Sequence, residues 1–379
     1  MMESRNNYSP EESFVLQFVN SLRVHIECPD VSESYVKQIE LLFKKVLSYV
    51  VTTSEHDPIS MIICQSCTKY SQIVPIQTRQ ERMHYYLVFD KHLSNINRLI
   101  SSLYYSNEDP EHDIWKLSYE LFTEEAIVAG EELFATYFGL NKIALGPFNI
   151  ENEEPGYDSD FVGLIQDLYI LGHEVGHFFY DLYTDDRTSD TLNISTMLDK
   201  MAVKVKAMLD DIYDYYKIRF KDKEYNVLIA EQEDVIQNKS RIIDECLADA
   251  LSYAIIFAIV DEEYPNDSGK KIQATQAIFL ELMNLQLLAM HHMTVSEESF
   301  ENSTSIRLSF FRNYAAAYFE DDPASFSKIL QETVVRYEER ITNRMLECFS
   351  VLERRSDYLF DTITNPDGTL EFQEIIGLS

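Results

Sequence analysis

Residues 168–180 read LYILGHEVGHFFY, an apolar run that is long enough for a buried helix and contains an H-E-x-x-H group. Residues four apart in a helix lie on the same face, so His173 and His177 can present two imidazole nitrogens to one metal ion. Glu174 then lies beside that ion as a general base. The alternative is a helix with two coincidental histidines. Two histidines on an apolar face without a partner would be costly, which favours the metal interpretation.

Two glycines lie four residues apart in the same predicted helix, Gly172 and Gly176. Each costs about 1 kcal/mol relative to alanine in the middle of a helix. We therefore expect another backbone, or a bound substrate, to approach this face closely. The alternative is that a well-packed helix simply tolerates them.

A second motif follows in residues 242–255, IIDECLADALSYAI, where Glu245 and Asp249 lie four apart on one helical face. A zinc hydrolase usually has three protein ligands and one open position. An H-E-x-x-H group followed by a later E-x-x-x-D resembles the thermolysin-like metallopeptidases, the gluzincins. The resemblance implies that Glu245 is the third ligand of Zn²⁺. It also implies that Asp249 accepts the other ring N–H of His173.

The alternative interpretation of the second motif is a solvated acidic stripe, because the whole chain is strongly acidic. Apolar neighbours such as Ile242, Cys246 and Leu247 indicate instead that this helix is buried. A buried helix that carries two carboxylates needs a metal or other cations to compensate them.

Catalysis in such a site needs a further donor to the oxyanion. Relatives of the gluzincin type supply it from a downstream histidine, tyrosine or arginine. The candidates here are His291, His292 and Arg307. The alternatives are a polar helix end for the two histidines and an ordinary ion pair for the arginine.

The predicted fold class is α+β and mostly α, a zincin-like arrangement with a small N-terminal sheet and long helical insertions. We divide the chain into an N-terminal α+β region, residues 1–150, and a helical region with both motifs, residues 151–379. Strands are predicted at 58–64, 83–89 and 143–148. Helices are predicted at 11–24, 32–52, 91–105, 124–139, 161–183, 191–221, 236–261, 270–290, 303–320 and 323–352.

The resemblance also implies that one strand near the active-site helix pairs with the substrate backbone through its free edge. Met83–Phe89 is the first choice for that strand, and Ile143–Phe148 is the second.

The net charge of −32 argues against a nucleic-acid partner, because few cations could neutralise phosphates. It argues equally against an anionic membrane surface. The N-terminus has no apolar run behind a basic start, so we expect no secretory signal and a cytoplasmic location.

These patterns together predict an intracellular zinc-dependent metalloendopeptidase that cleaves a specific protein or peptide substrate. An intracellular peptidase must be restrained, by narrow specificity, a closed cleft or a regulatory protein partner. The alternative is a non-catalytic zincin-like scaffold that serves as an interaction protein, although such a scaffold would not need Glu174.

Overall fold

A computed structural model of the chain describes residues 12–15, 17, 26–27, 32–50, 59–69, 71–77, 83–149, 158–184, 192–220, 239–295, 303–319 and 323–364. This part of the chain is mostly helical with one small sheet, which confirms the α+β, mostly α, prediction. The strands are β1 (Ile26–Glu27), β2 (Ile59–Ser66), β3 (Gln72–Gln77) and β4 (Met83–Asp90).

The helices of the first half are α1 (Glu33–Val50), α2 (Lys91–Tyr105), α3 (Glu111–Val128), α4 (Glu132–Ala144) and α5 (Ser159–Thr184). Those that follow are α6 (Leu192–Phe220), α7 (Lys239–Glu263), α8 (Ser268–Val295), α9 (Ser303–Ala316), α10 (Pro323–Tyr337) and α11 (Asn343–Thr364). A π-helical turn, Glu338–Thr342, joins α10 to α11.

The sheet has the strand order β1-β2-β4-β3, in which β2 and β4 are parallel and the other two pairs are antiparallel. Side chains of β4 alternate between two apolar layers, as the period of a strand requires. Leu87 and Phe89 join the main core, whereas Tyr86 and Val88 join a smaller cluster on the other face. Strand β4 is therefore buried on both faces, and the helices of the main core pack against one of them.

This topology corrects the expectation for a substrate-pairing strand. Met83–Phe89 lies in β4, which is hydrogen-bonded on both sides, so it has no free edge. Residues 143–148 form no strand, because α4 ends at Ala144 and a turn follows at Gly146, where φ is +76°. The described edge strand next to α5 is β3, which the sequence did not predict because Pro75 interrupts its apolar pattern.

The prediction of one helix at 124–139 is also wrong, because these residues form the end of α3 and the beginning of α4. Gly130 separates the two helices with a φ of +74°, a left-handed conformation that favours glycine. The helix predicted at 323–352 corresponds to α10, the π-helical turn and α11, which continues to Thr364. The helix predicted at 11–24 lies largely outside the described residues. The other predicted helices correspond to described ones, with ends that differ by a few residues.

The main core extends along the chain from Ile39 to Leu359 and contains apolar side chains from both predicted regions. The division of the chain at residue 150 stays a prediction. Helix α5 crosses this core and contacts α1, α2, α7, α8 and the sheet. The H-E-x-x-H motif is therefore carried by the most central helix. None of the helices in the described part combines the length and the apolar run that crossing a bilayer requires.

Candidate metal centre

The two motif-bearing helices, α5 and α7, pack against each other more closely than ordinary side chains allow. A Cβ atom built on Gly176 would lie 2.8 Å from the Cα of Ala248, and one built on Gly172 would lie 3.1 Å from the Cα of Ser252. The first distance is too short for a side chain, and the second is tighter than an ordinary contact, with the Oγ of Ser252 closer still at 2.6 Å. The two glycines are thus required by the approach of another backbone, which confirms the first of the two interpretations above.

This close approach brings together the three residues that were expected to bind a metal. The Nε2 atom of His173 lies 3.1 Å from Nε2 of His177 and 3.3 Å from Oε2 of Glu245. The distance from Nε2 of His177 to Oε1 of Glu245 is 3.6 Å. Tetrahedral zinc with bonds of about 2.0–2.1 Å places its ligand atoms roughly 3.3 Å apart. The three side chains therefore fit a single tetrahedral ion in both chemistry and spacing.

Asp249 lies fully buried at the second nitrogen of His173. Its Oδ1 accepts the Nδ1–H of His173 at 2.8 Å and the hydroxyl proton of Tyr169 at 2.5 Å. With a proton on Nδ1, this bond directs Nε2 of His173 toward His177 and Glu245, and Nε2 would have to be free of its own proton to bind a metal. The contact between Asp249 and His173 is the one that the resemblance implied. The contact between Asp249 and Tyr169 was not predicted from the sequence.

Arg307 reaches the same group from α9. Its Nε and Nη2 donate to the two oxygens of Asp249 at 2.8 and 2.7 Å, and its Nη1 lies 3.0 Å from Oε2 of Glu245. A guanidinium fork with two parallel bonds to one carboxylate holds it in a fixed orientation. The sequence suggested Arg307 as a donor to the oxyanion, but in the structure it contacts the two carboxylates.

The electrostatics of the site keep both carboxylates ionised. Burial alone would raise the pKa of Asp249, but Arg307 and the hydrogen bond from His173 lower it to about 2. The pKa of Glu245 is likewise lowered despite its burial, because Arg307 and His173 lie against it. Burial opposes a charge on both histidines, and bonds to Asp249 and Glu245 nevertheless raise the pKa of His173 to about 9. Burial and the charge of His173 lower the pKa of His177 to about 4.

Two further histidines were predicted near the site, and the side chain of one of them is described. His291 is buried on α8 between the rings of Phe122 and Phe349, with centroid distances of 5.0 and 4.8 Å. The side chain of His292 lies outside the part of the chain that the structure describes. Glu174, the expected base, is buried on α5 directly after the first histidine, with 8% of its surface exposed.

A second group of metal-binding residue types, His92, Glu120 and Glu124, was not predicted because His92 lies on a different helix from the two glutamates, which are four residues apart. Glu124 contacts His92 at 2.5 Å and Lys69 at 2.8 Å, and Glu120 contacts Lys142 at 2.9 Å. These cations lower the pKa of Glu124 against the effect of its burial. Each of the two carboxylates thus has a paired cation among the described residues.

Comparison with protein-family models, with curated proteins and with solved structures gives no match for this chain.

Proposed function

We propose that the chain is an intracellular zinc-dependent metalloendopeptidase of zincin-like fold that cleaves a specific protein substrate. The observation that carries the proposal is the convergence of His173, His177 and Glu245, with ligand atoms 3.1 to 3.6 Å apart. Two of these residues come from one helix and the third from another. The resemblance to gluzincins, seen first in two short motifs, supports the same ligand set.

The residues around the three ligands support a hydrolytic role. His173, His177 and Glu245 would hold the zinc ion, which would supply a Lewis acid for a peptide carbonyl and lower the pKa of water toward neutrality. The carboxylate of Glu174 would accept the proton of the attacking water and then pass it to the leaving amine. Asp249 keeps the proton of His173 on Nδ1, and Arg307 keeps Asp249 and Glu245 in place.

The burial of two residues of the site also supports an alternative function, that of a non-catalytic scaffold. His173 and Glu174 are each less than a tenth exposed, as they would be around a purely structural ion, whereas 29% of the His177 side chain and 18% of the Glu245 side chain are exposed. A non-catalytic scaffold that binds partners through its surface would also bury most of its ion. For the peptidase, a substrate would approach from the exposed side of His177 and Glu245, and a regulatory protein partner would restrain access there.

The substitution Glu174→Gln distinguishes the two functions, because it keeps the size of the side chain and removes the proton acceptor. We expect an unchanged zinc content and melting temperature, and a loss of peptide cleavage of at least about 10²–10⁴-fold. Cleavage is measured by mass spectrometry after incubation of the zinc-loaded protein with peptides from a cell extract. Glu132→Gln, at an exposed position of α4, is the matched control.

Wild-type cleavage that Glu174→Gln abolishes and Glu132→Gln retains supports the peptidase. Cleavage at the wild-type rate by Glu174→Gln would contradict the assigned base. A zinc-loaded wild type that cleaves no peptide, alone or after addition of cell extract, would favour the scaffold.

A further inference from the structure

Helix α2 carries a polar stripe into the core, where an apolar face is the rule. Ser94, Asn97 and Ser101 are spaced to lie on one face, and each is almost completely buried. Two of them bind polar side chains of α5: the hydroxyl of Ser94 donates to Asp167 at 2.5 Å, and the amide of Gln166 donates to Ser101 at 2.8 Å. The helix that carries the metal motif is thus joined to α2 by buried hydrogen bonds.

The third residue of this stripe, Asn97, binds a buried acid on α8. Its Nδ2 donates to Oε1 of Glu281 at 2.5 Å, and both side chains are fully buried. The other oxygen of each group, Oε2 of Glu281 and Oδ1 of Asn97, has no hydrogen-bonding partner among the described residues. Each of these two contacting side chains therefore carries one buried acceptor without a partner among the described residues.

Four ionisable groups from the surrounding helices affect Glu281. Asp167 of α5 is an acid and repels a negative charge there, whereas Arg98 of α2 and Arg307 of α9 attract it. The hydroxyl of Tyr337, at the end of α10, is also close enough to interact. Each arginine is paired with another acid: Arg98 contacts Asp167, and Arg307 contacts Asp249 and Glu245. No described cation forms an ion pair with Glu281.

A buried carboxylate without a paired cation is so costly that the group takes up a proton instead. We propose that Glu281 is protonated at neutral pH and that its proton completes a two-bond clasp with Asn97, joining α8 to α2. The bond from Asn97 Nδ2 to Glu281 Oε1 is one half of the clasp. The other half is a bond from the Oε2–H of Glu281 to Oδ1 of Asn97, so one proton satisfies both remaining acceptors.

The direction of the pKa shift agrees with this assignment. Burial, with the nearby Asp167, raises the pKa of Glu281 well above its usual value, and the two arginines offset only part of that rise. Glu124 shows the opposite case within the same chain. It is also largely buried, but His92 and Lys69 contact it and lower its pKa. The presence of paired cations distinguishes the two glutamates.

A raised pKa makes the clasp sensitive to alkali. Below the pKa of a glutamate in the unfolded chain, Glu281 is neutral in both states and its contribution to stability is complete. Above that value the unfolded chain gains by ionising, so stability falls as the pH rises, until the pH passes the pKa of the folded state. Above the pKa of the folded state, Glu281 carries a buried negative charge between α8 and α2, and the bond from its Oε2–H is lost.

The test is thermal and urea unfolding of Glu281→Gln from pH 5 to pH 9, because glutamine forms both bonds of the clasp without a proton. We expect a variant close to wild type at pH 5 and increasingly more stable than it above that. The ratio of the wild-type unfolding constant to that of the variant should grow about tenfold per pH unit. Glu124→Gln is the matched control, and it should be less stable than wild type at neutral pH.

A second measurement does not depend on unfolding: the infrared spectrum of the wild type at pH 7 should contain the carbonyl band of a buried protonated carboxylic acid. That band should be missing from Glu281→Gln. Absence of the band from the wild type would overturn the proposal. So would a Glu281→Gln protein whose stability relative to wild type is the same at every pH, since Glu281 would then be ionised and held by water or a cation.

Discussion

Asp249→Asn tests whether the buried carboxylate behind His173 serves the metal as well as the fold. Asparagine keeps the shape of the side chain but loses the charge that Arg307 and His173 contact. Loss of a partner that orients a metal-binding histidine typically weakens metal affinity by about 10–100-fold. That is roughly 1.4–2.7 kcal/mol of binding free energy.

The same substitution should also lower the stability of the metal-free protein. Removing one partner of a buried ion pair costs about 3–5 kcal/mol. Arg307 keeps its contact with Glu245, so we expect a loss near the lower end of that range. The free energy of unfolding is measured by urea titration in the presence of a chelator, and zinc affinity by competition with a coloured chelator.

Asp167→Asn is the matched control, because Asp167 is equally buried, lies on the helix with the metal motif and pairs with Arg98. It should reduce stability and leave zinc affinity unchanged. Wild-type zinc affinity in Asp249→Asn, or an equal loss of affinity in both variants, would refute the reasoning.

Two further substitutions test single contacts. Tyr169→Phe removes the hydroxyl that donates to Asp249 and should weaken zinc binding by up to about 10-fold. Tyr253→Phe removes an equally buried hydroxyl on α7, so equal zinc affinities in the two variants would contradict a positioning role for Tyr169. His291→Phe should leave zinc content and turnover unchanged, because its ring lies between two phenylalanines. A fall in turnover of about 10²–10³-fold would show instead that His291 acts on the oxyanion.

Helical spacing predicted which residues lie on one face of each helix, whereas the place of Glu245 beside the two histidines was implied only by the resemblance to gluzincins. His173 and His177 had to lie one turn apart, and Glu245 and Asp249 had to lie on one face of a second helix. The glycines at 172 and 176 also indicated a close approach, although not which helix approaches. The structure shows that α7 is the partner, with Ala248 against Gly176.

The rest of the site depends on contacts that no local pattern encodes. Arg307 and Tyr169 look like ordinary helical residues in the sequence, and only the packing of α9 and α5 brings both to Asp249. The buried contact between Glu281 and Asn97 could not be predicted for the same reason, because the two residues lie on helices that are far apart in the sequence. The prediction that Met83–Phe89 has a free edge for a substrate was wrong, because an apolar run predicts a strand but not its place in the sheet.

The most direct test of the metallopeptidase proposal is the metal content of the purified protein, measured by mass spectrometry after equilibration with zinc and removal of free metal. We expect about one zinc ion per chain in the wild type, the number that three ligands on one tetrahedral ion require. His177→Ala should retain only a small fraction of it. A wild type with no stoichiometric zinc or other transition metal would contradict the proposal, as would a His177→Ala protein that keeps its full metal content.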